Sequence, residues 1–268
     1  MKPSSQLVAL LTDFGLQDPY VGIMKGVIAG ISPRTPVIDL THCISAQNIL
    51  QGALLLGSSS PYFPDGTIFA AIVDPGVGTG RKAIALVTES QVFVAPDNGL
   101  LSSVMKKQKI MACYTITNPS CMLPDQSATF HGRDIFSPAA AHLANGLEPA
   151  MLGSALDPEE CKRIEIPENS TRDGGSSWEG VVLYSDVYGN LITSFTGNMI
   201  TEEKQALGIR TKNNRILPIH RTYGDVAEGE ALAYTGSSGF IEIAIRNGNA
   251  SQSLELLPGD RVMLLYAS

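Results

Sequence analysis

The chain has 268 residues, of which 44% are apolar and 17% charged, and a formal net charge of −7. That is enough apolar material for one large or two modest domains, and it excludes a disordered chain. Nineteen Lys and Arg against 26 Asp and Glu leave no basic stripe, which argues against nucleic acid as a partner. The four cysteines, Cys43, Cys113, Cys121 and Cys161, form no C-x-x-C pair and fit no zinc pattern. They read as reduced, mostly buried thiols of a cytoplasmic protein. The first apolar run is five residues and stops at Asp13, too short for a signal core. No run approaches the roughly 20 residues that span a bilayer, so no membrane partner is expected.

Residues 7–11 (LVALL) predict a buried strand that ends in Thr12-Asp13-Phe14-Gly15. Residues 20–31 (YVGIMKGVIAGI) carry apolar side chains at helical spacing and stop before Ser32-Pro33. A strand follows at 36–40, a helix at 47–56, and a strongly apolar strand at 66–73 that ends at Asp74. Residues 82–88 and 91–95 alternate around Glu89-Ser90 as a hairpin does. A helix is expected over 137–145. Strand–helix alternation with buried strands predicts a layered α/β domain. In such sheets ligands sit at the carboxyl ends of strands, where Asp13 and Asp74 fall. The stretch 167–177 (PENSTRDGGSS) reads as a linker. Beyond it, short strand-like runs at 180–185, 191–194, 231–234, 240–245 and 261–266 are separated by Gly and Asn turns. The expected organisation is an α/β N-terminal domain over 1–170 and a smaller all-β, barrel-like C-terminal domain over 178–268.

Four segments stand out chemically. Asp74-Pro75-Gly76-Val77-Gly78-Thr79-Gly80-Arg81 is a glycine-rich turn after a buried strand. It matches neither the P-loop, having no Gly-Lys-Ser/Thr, nor the dinucleotide fingerprint, since a strand follows it. Asp74 and Arg81 can meet across it. His131 lies between Phe130 and Gly132, in a turn before the helix, reachable by a ligand; His142 sits mid-helix. Asp186-Val187-Tyr188-Gly189-Asn190 and Arg246-Asn247-Gly248-Asn249 read as turns, the latter as a hairpin turn. Singly, each is an ordinary turn.

Together with TDFG (12–15) and APDNGLL (95–101), in this order and spacing, the motifs DPGVGTGR, TFHGRDIFSPAAAHLA, SDVYGN and AIRNGNAS resemble the S-adenosyl-L-methionine (SAM) hydroxide adenosyltransferases. These are relatives of the fluorinating and chlorinating enzymes that use the same substrate. The resemblance covers nearly the whole chain. It implies a homotrimer with substrate bound between one subunit's N-domain and its neighbour's C-domain. It implies attack of water on the ribose 5′ carbon of SAM, releasing adenosine and methionine. A sulfonium is a good leaving group without protonation, so what is needed is a positioned nucleophile. No metal or organic cofactor is expected.

Matched by motif, the family's water-activating trio falls on Asp74, Arg81 and His131; which member takes the proton is left open, with Arg81 contributing its charge. Asp13 matches the carboxylate on the ribose hydroxyls. Asp18 and Asp186 match positions at the substrate ammonium, and Ser237 and Ser238 the loop at its carboxylate. Asn190 and the Asn247-Gly248 backbone match the adenine-edge contacts, and Tyr188 the aromatic wall. Gln47 departs from the aromatic residue that relatives often place against the sugar. Gly132 and Val77 stand where halogenating relatives carry serine and threonine, which argues against halide use. The alternative is a SAM- or adenosine-binding sensor with negligible turnover.

Overall fold

The computed structural model describes residues 7–172, 175–200 and 206–266. The chain divides into two compact units, Met1–Ile164 and Glu165–Ser268. In the first, the chain runs β1 (Val8–Thr12), α1 (Tyr20–Ile31), β2 (Val37–Thr41), α2 (Ile49–Ser59), β3 (Ile68–Ile72), β4 (Ala83–Thr88), β5 (Val92–Pro96), α3 (Ser102–Lys107), β6 (Ile110–Thr115) and α4 (Ser137–Ala144). The sheet order is β2-β1-β3-β5-β4-β6. The first four strands of that order are parallel; β4 is antiparallel to both β5 and β6. Helices cover both faces, which explains the uniformly apolar strands. Val8, Leu10, Ile68, Ala70 and Ile72 face a core shared with α1 and α4. Ala9, Leu11, Phe69, Ala71 and Val73 face the opposite core. The order β2-β1-β3 makes the carboxyl ends of β1 and β3 the point where the chain reverses across the sheet, the usual ligand crevice of such folds.

The second unit runs β7 (Ser170–Arg172), β8 (Ser177–Ser185), β9 (Leu191–Thr196), β10 (Ala206–Arg210), β11 (Ile216–Leu217), β12 (Ala231–Thr235), β13 (Phe240–Ile245), α5 (Ala250–Ser253) and β14 (Arg261–Tyr266). The sheet order is β11-β10-β14-β8-β9-β13-β12, with β7 also on β8. Residues just beyond β11 close the ring: Ala233 N–H donates to the Pro218 carbonyl, and His220 N–H to the Ala233 carbonyl. Val182, Leu191, Phe195, Ile209, Ile243 and Leu264 fill the interior.

Two sequence readings change. The stretch 167–177 is not purely a linker, because Ser170–Arg172 pairs antiparallel with Ser177–Glu179; residues 173 and 174 lie outside the described residues. The turn at Asn247-Gly248 is centred on Arg246-Asn247, closed by Gly248 N–H on the Ile245 carbonyl in a single antiparallel bridge, and no second strand follows it directly. Asn247 does adopt φ +55°, but the chain then enters α5, whose first turn is capped by Asn249 accepting from Gln252 N–H.

Candidate active site

Asp74 follows β3 by two residues, and the glycine turn returns Arg81 onto it. Arg81 Nε lies 3.0 Å from Asp74 Oδ1 and 2.9 Å from Oδ2, and Nη2 also donates to Oδ2. Both side chains are only 5% exposed, so this is a desolvated ion pair. The Arg81 guanidinium lies 5.1 Å from the centre of the fully buried Phe136 ring, which holds its plane. Arg81 Nη2 reaches His131 Nδ1 at 2.8 Å. The structure therefore brings Asp74, Arg81 and His131 into one cluster.

The protonation of that cluster follows. Guanidinium can only donate, so His131 Nδ1 is an acceptor and a neutral ring carries its proton on Nε2. Burial, and then the positive charge of Arg81, push the imidazole below its ordinary value; the carboxylates of Asp74 and Asp134 oppose this without cancelling it. His131 is thus neutral at pH 7, with an N–H pointing away from Arg81.

The loop that carries His131 is held by a residue pair inside the same motif. Asp134 is fully buried and accepts from Ser127 N–H at 2.7 Å and from Arg133 Nε at 2.5 Å. Its carbonyl accepts from Leu123 N–H at 2.9 Å. His131 begins a π-helical turn, Gly132–Phe136, that runs into α4. Gly78, at φ +76°, lets the glycine turn approach the Ala128 carbonyl, where a Cβ would collide. Asn98, in the APDNGLL segment, donates from Nδ2 to the Val73 carbonyl at 2.8 Å and so fixes the backbone that delivers Asp74. Sequence reading passed over Asn98, Asp134 and Phe136; for Asp134, a charged residue just inside an apolar helix was the available signal.

Asp13 follows β1, neighbour of β3. Its Oδ2 accepts from Gln47 N–H at 2.8 Å. Gln47 presents that N–H from a left-handed backbone, at φ +64°. The turn after β1 is braced by His42, 3% exposed. His42 Nδ1 lies 2.8 Å from Thr12 Oγ1 and Nε2 2.9 Å from Asp39 Oδ1, while its carbonyl accepts from Gly15 N–H at 2.8 Å. Partial burial works to raise the Asp39 carboxyl, but Lys25 and His42 outweigh it and hold it below its usual range. Asp18 is exposed and has no hydrogen bond or ion pair among the described residues. Phe14, Tyr20 and Phe130 pack edge to face at 5.2–5.9 Å beside this turn.

The remaining candidates lie in the second unit. The turn joining β8 to β9 folds around the Asp186 carboxylate. Oδ1 accepts from Tyr188 N–H at 2.9 Å and Asn190 N–H at 2.8 Å, and Oδ2 from Asn190 Nδ2 at 2.8 Å. Asn190 is buried, whereas the Tyr188 ring is 75% exposed. Ser237 is exposed at the β12–β13 turn, and Ser238 Oγ is buried without a partner. Asn247 and Gly248 are exposed before α5. Behind Asn190 runs a chain that sequence reading missed: Asn190 Nδ2 to Tyr223 Oη at 3.0 Å, Tyr223 Oη to Tyr234 Oη, and Tyr234 Oη to Glu242 Oε2 at 2.5 Å. Among the described residues, no group of three His, Cys, Asp or Glu side chains could hold a metal ion.

The SAM hydroxide adenosyltransferase N-terminal domain model matches residues 8–153, and the C-terminal domain model residues 180–263. The chain belongs to the SAM hydroxide adenosyltransferase family. It is 38% identical over 265 residues to the (R)-S-adenosyl-L-methionine hydrolase of Thermus thermophilus, covering 96% of this chain and 99% of that one. A fluorinase of Actinoplanes sp. is 27% identical, covering 89% and 90% respectively. The crystal structure of an uncharacterised conserved protein from Thermotoga maritima superposes with a TM-score of 0.89 at 34% identity, covering 96% of this chain and 99% of that one.

Proposed function

We propose that this family member hydrolyses SAM to adenosine and L-methionine. The observation that carries this reading is the buried Asp74–Arg81–His131 cluster at the carboxyl end of β3. Water attacks the ribose 5′ carbon, the C–S bond breaks, and its electron pair goes to sulfur, turning the sulfonium into the neutral thioether of methionine. One water proton must leave. His131 Nδ1 is occupied by Arg81 and Nε2 already bears hydrogen, so the ring serves as a donor that holds water by one lone pair. Asp74 Oδ1, which takes only the Arg81 Nε–H, keeps acceptor capacity for the departing proton. Arg81 aligns the other two side chains and favours hydroxide character nearby.

In this reading Asp13 takes the ribose hydroxyls, Asp18 and the free lone pairs of Asp186 Oδ2 take the substrate ammonium, and Ser237 and Ser238 its carboxylate. Asn190 and the Asn247-Gly248 backbone meet the adenine edge, with Tyr188 against its face. The enzyme is a cytoplasmic homotrimer whose site joins the N-unit of one subunit to the C-unit of its neighbour. Exposed apolar side chains beside both residue sets support burial against a partner: Leu16 and Tyr20 near Asp13, and Val187 and Tyr188 near Asp186. No helix among the described residues is long and apolar enough to cross a membrane. Departure of a neutral thioether from a sulfonium calls for no Lewis acid, so turnover needs no metal and survives a chelator.

The test is incubation with SAM in oxygen-labelled water, followed by mass analysis. Labelled adenosine together with methionine is the expected result. Binding of SAM without either product would replace hydrolysis with the sensor reading.

A further inference from the structure

The amide of Asn190 has a fixed sense. An amide oxygen cannot face the Asp186 carboxylate, so the atom 2.8 Å from Asp186 Oδ2 is the NH2 group. The second hydrogen of that group goes to Tyr223 Oη at 3.0 Å. What lies behind Tyr223 fixes the direction of this bond as well. Tyr234, itself buried, donates to the carboxylate of Glu242 at 2.5 Å. Having spent its only hydrogen there, Tyr234 must accept from Tyr223. Having spent its own on Tyr234, Tyr223 must accept from Asn190. Donation therefore runs one way, from Asn190 through two tyrosines to a carboxylate. Both Asn190 N–H groups are consumed, and the polar atom left over is Oδ1. It has no partner among the described residues. Among the described residues, the fully buried, unpaired side-chain oxygens are those of Gln108 and Ser238, so Asn190 Oδ1 keeps a path to the outside.

An asparagine in contact with adenine commonly pairs twice, accepting from N6 and donating to N7. Here the donating half is already spent. We propose that Tyr223, oriented by Tyr234 and Glu242, makes Asn190 a pure acceptor, so that the base site selects a purine with a 6-amino donor and rejects one with a 6-oxo acceptor. Tyr223, Tyr234 and Glu242 are positioning residues for specificity, not for bond breaking. This rests on the reading that Asn190 meets the adenine edge. A 6-oxo group would face Oδ1 lone pair to lone pair, and a site built around one donor discriminates strongly against its absence. Without the Tyr223 hydroxyl, one Asn190 N–H becomes free and can serve a 6-oxo group.

Adenosine and inosine differ at this position in the required way. Their inhibition constants against SAM hydrolysis are compared for the wild type and for Tyr223→Phe, alongside Glu242→Gln, whose amide oxygen can still accept from Tyr234. In the wild type inosine binds at least tenfold more weakly than adenosine. Tyr223→Phe narrows that ratio about tenfold, mostly by gaining inosine affinity. Glu242→Gln keeps most of the wild-type ratio. A gain of inosine affinity is an outcome that mere loosening of the fold does not produce. Equal wild-type affinity for the two nucleosides overturns the proposal without any variant, and so does an unchanged ratio in Tyr223→Phe. If neither nucleoside inhibits while SAM is still hydrolysed, it is the placement of Asn190 at the base that fails. If SAM is not hydrolysed, the proposed activity fails, and the two nucleoside dissociation constants, read directly by calorimetry, still decide the inference.

Discussion

The two units each hold a buried polar cluster, and the clusters solve opposite problems. In the first unit, Asp74 and Arg81 are both charged and almost fully buried, and a neutral imidazole completes the set. Cancelling charge at close range keeps the ion pair tolerable while leaving a strong local field for a reacting group. In the second unit, a single carboxylate, Glu242, anchors two neutral hydroxyls and an amide. Burial raises the Glu242 carboxyl, and the charge of Asp186 adds to this, while the Tyr234 hydrogen bond opposes it only in part. That chain develops little field toward solvent, but it sets the sense of every hydrogen bond along it. A cluster of opposite charges suits bond breaking, and a one-way chain of neutral donors suits discrimination.

This division is exposed to test. The largest effect is expected at Asp74→Asn and His131→Ala, which should each lower kcat by about 10²–10⁴ with KM little changed. Steady-state kinetics, with thermal unfolding as the control for folding, check this; a rise confined to KM would move the chemistry elsewhere. Next comes Asn190→Ala. Removing a buried hydrogen-bonding group costs about 1–3 kcal/mol, so KM should rise roughly ten- to a hundredfold while kcat stays near the wild-type value. If kcat falls instead, the second unit takes part in bond breaking and the contrast collapses.

A smaller, structural effect is expected at Gly132→Ser, the residue of halogenating relatives. A Cβ there would lie 3.2 Å from the Phe14 and Phe130 rings and 3.4 Å from Met24 Sδ. Overpacking of this kind costs about 1–3 kcal/mol, read as a lowered unfolding midpoint. No halogenated nucleoside should form at high chloride, because the added hydroxyl has no room prepared for it. The smallest effect is an absence of change. Because His131 is held below the ordinary 6.5, kcat/KM should stay level as pH falls through that value and decline only beneath it. The sign for stability agrees: an unfolded chain takes up this proton first, so the contribution of neutral His131 is lost as pH falls from about 6.5 toward the folded value. An activity limb centred at or above 6.5 would show that the imidazole is not held below its ordinary value.

Much of this was legible in the chain itself, for reasons that differ along it. The 20–31 helix and the 66–73 strand were readable because α1 buries one face and β3 buries both, which imprints helical spacing on the first and an unbroken apolar run on the second. Asp74 and His131 were readable because glycine-flanked turns at strand and helix ends hold few residue types with chemistry to offer. β6 and α3 were missed, being short and only partly apolar on the outside. β7 was missed because Ser170–Arg172 is wholly exposed and lies in a stretch with the composition of a linker. The Tyr223–Tyr234–Glu242 chain could not be read at all. Its members come from the loop ahead of β12, from β12 and from β13, and their contact depends on strand register, in which Tyr234 lies opposite Glu242.

The ring closure in the second unit also bears on how the chain can assemble. A sheet whose last strands meet at one point, through Pro218, Ala233 and His220, leaves less of its rim open than a sheet with two free edges. The strand Ser170–Arg172 is three residues long and carries an arginine, a poor template for pairing. Recruitment of a neighbour by adding strands is therefore disfavoured at these two places. Docking then falls to side chains on turns, such as the exposed Val187 and Tyr188, where single substitutions can retune or abolish contact while the barrel stays intact.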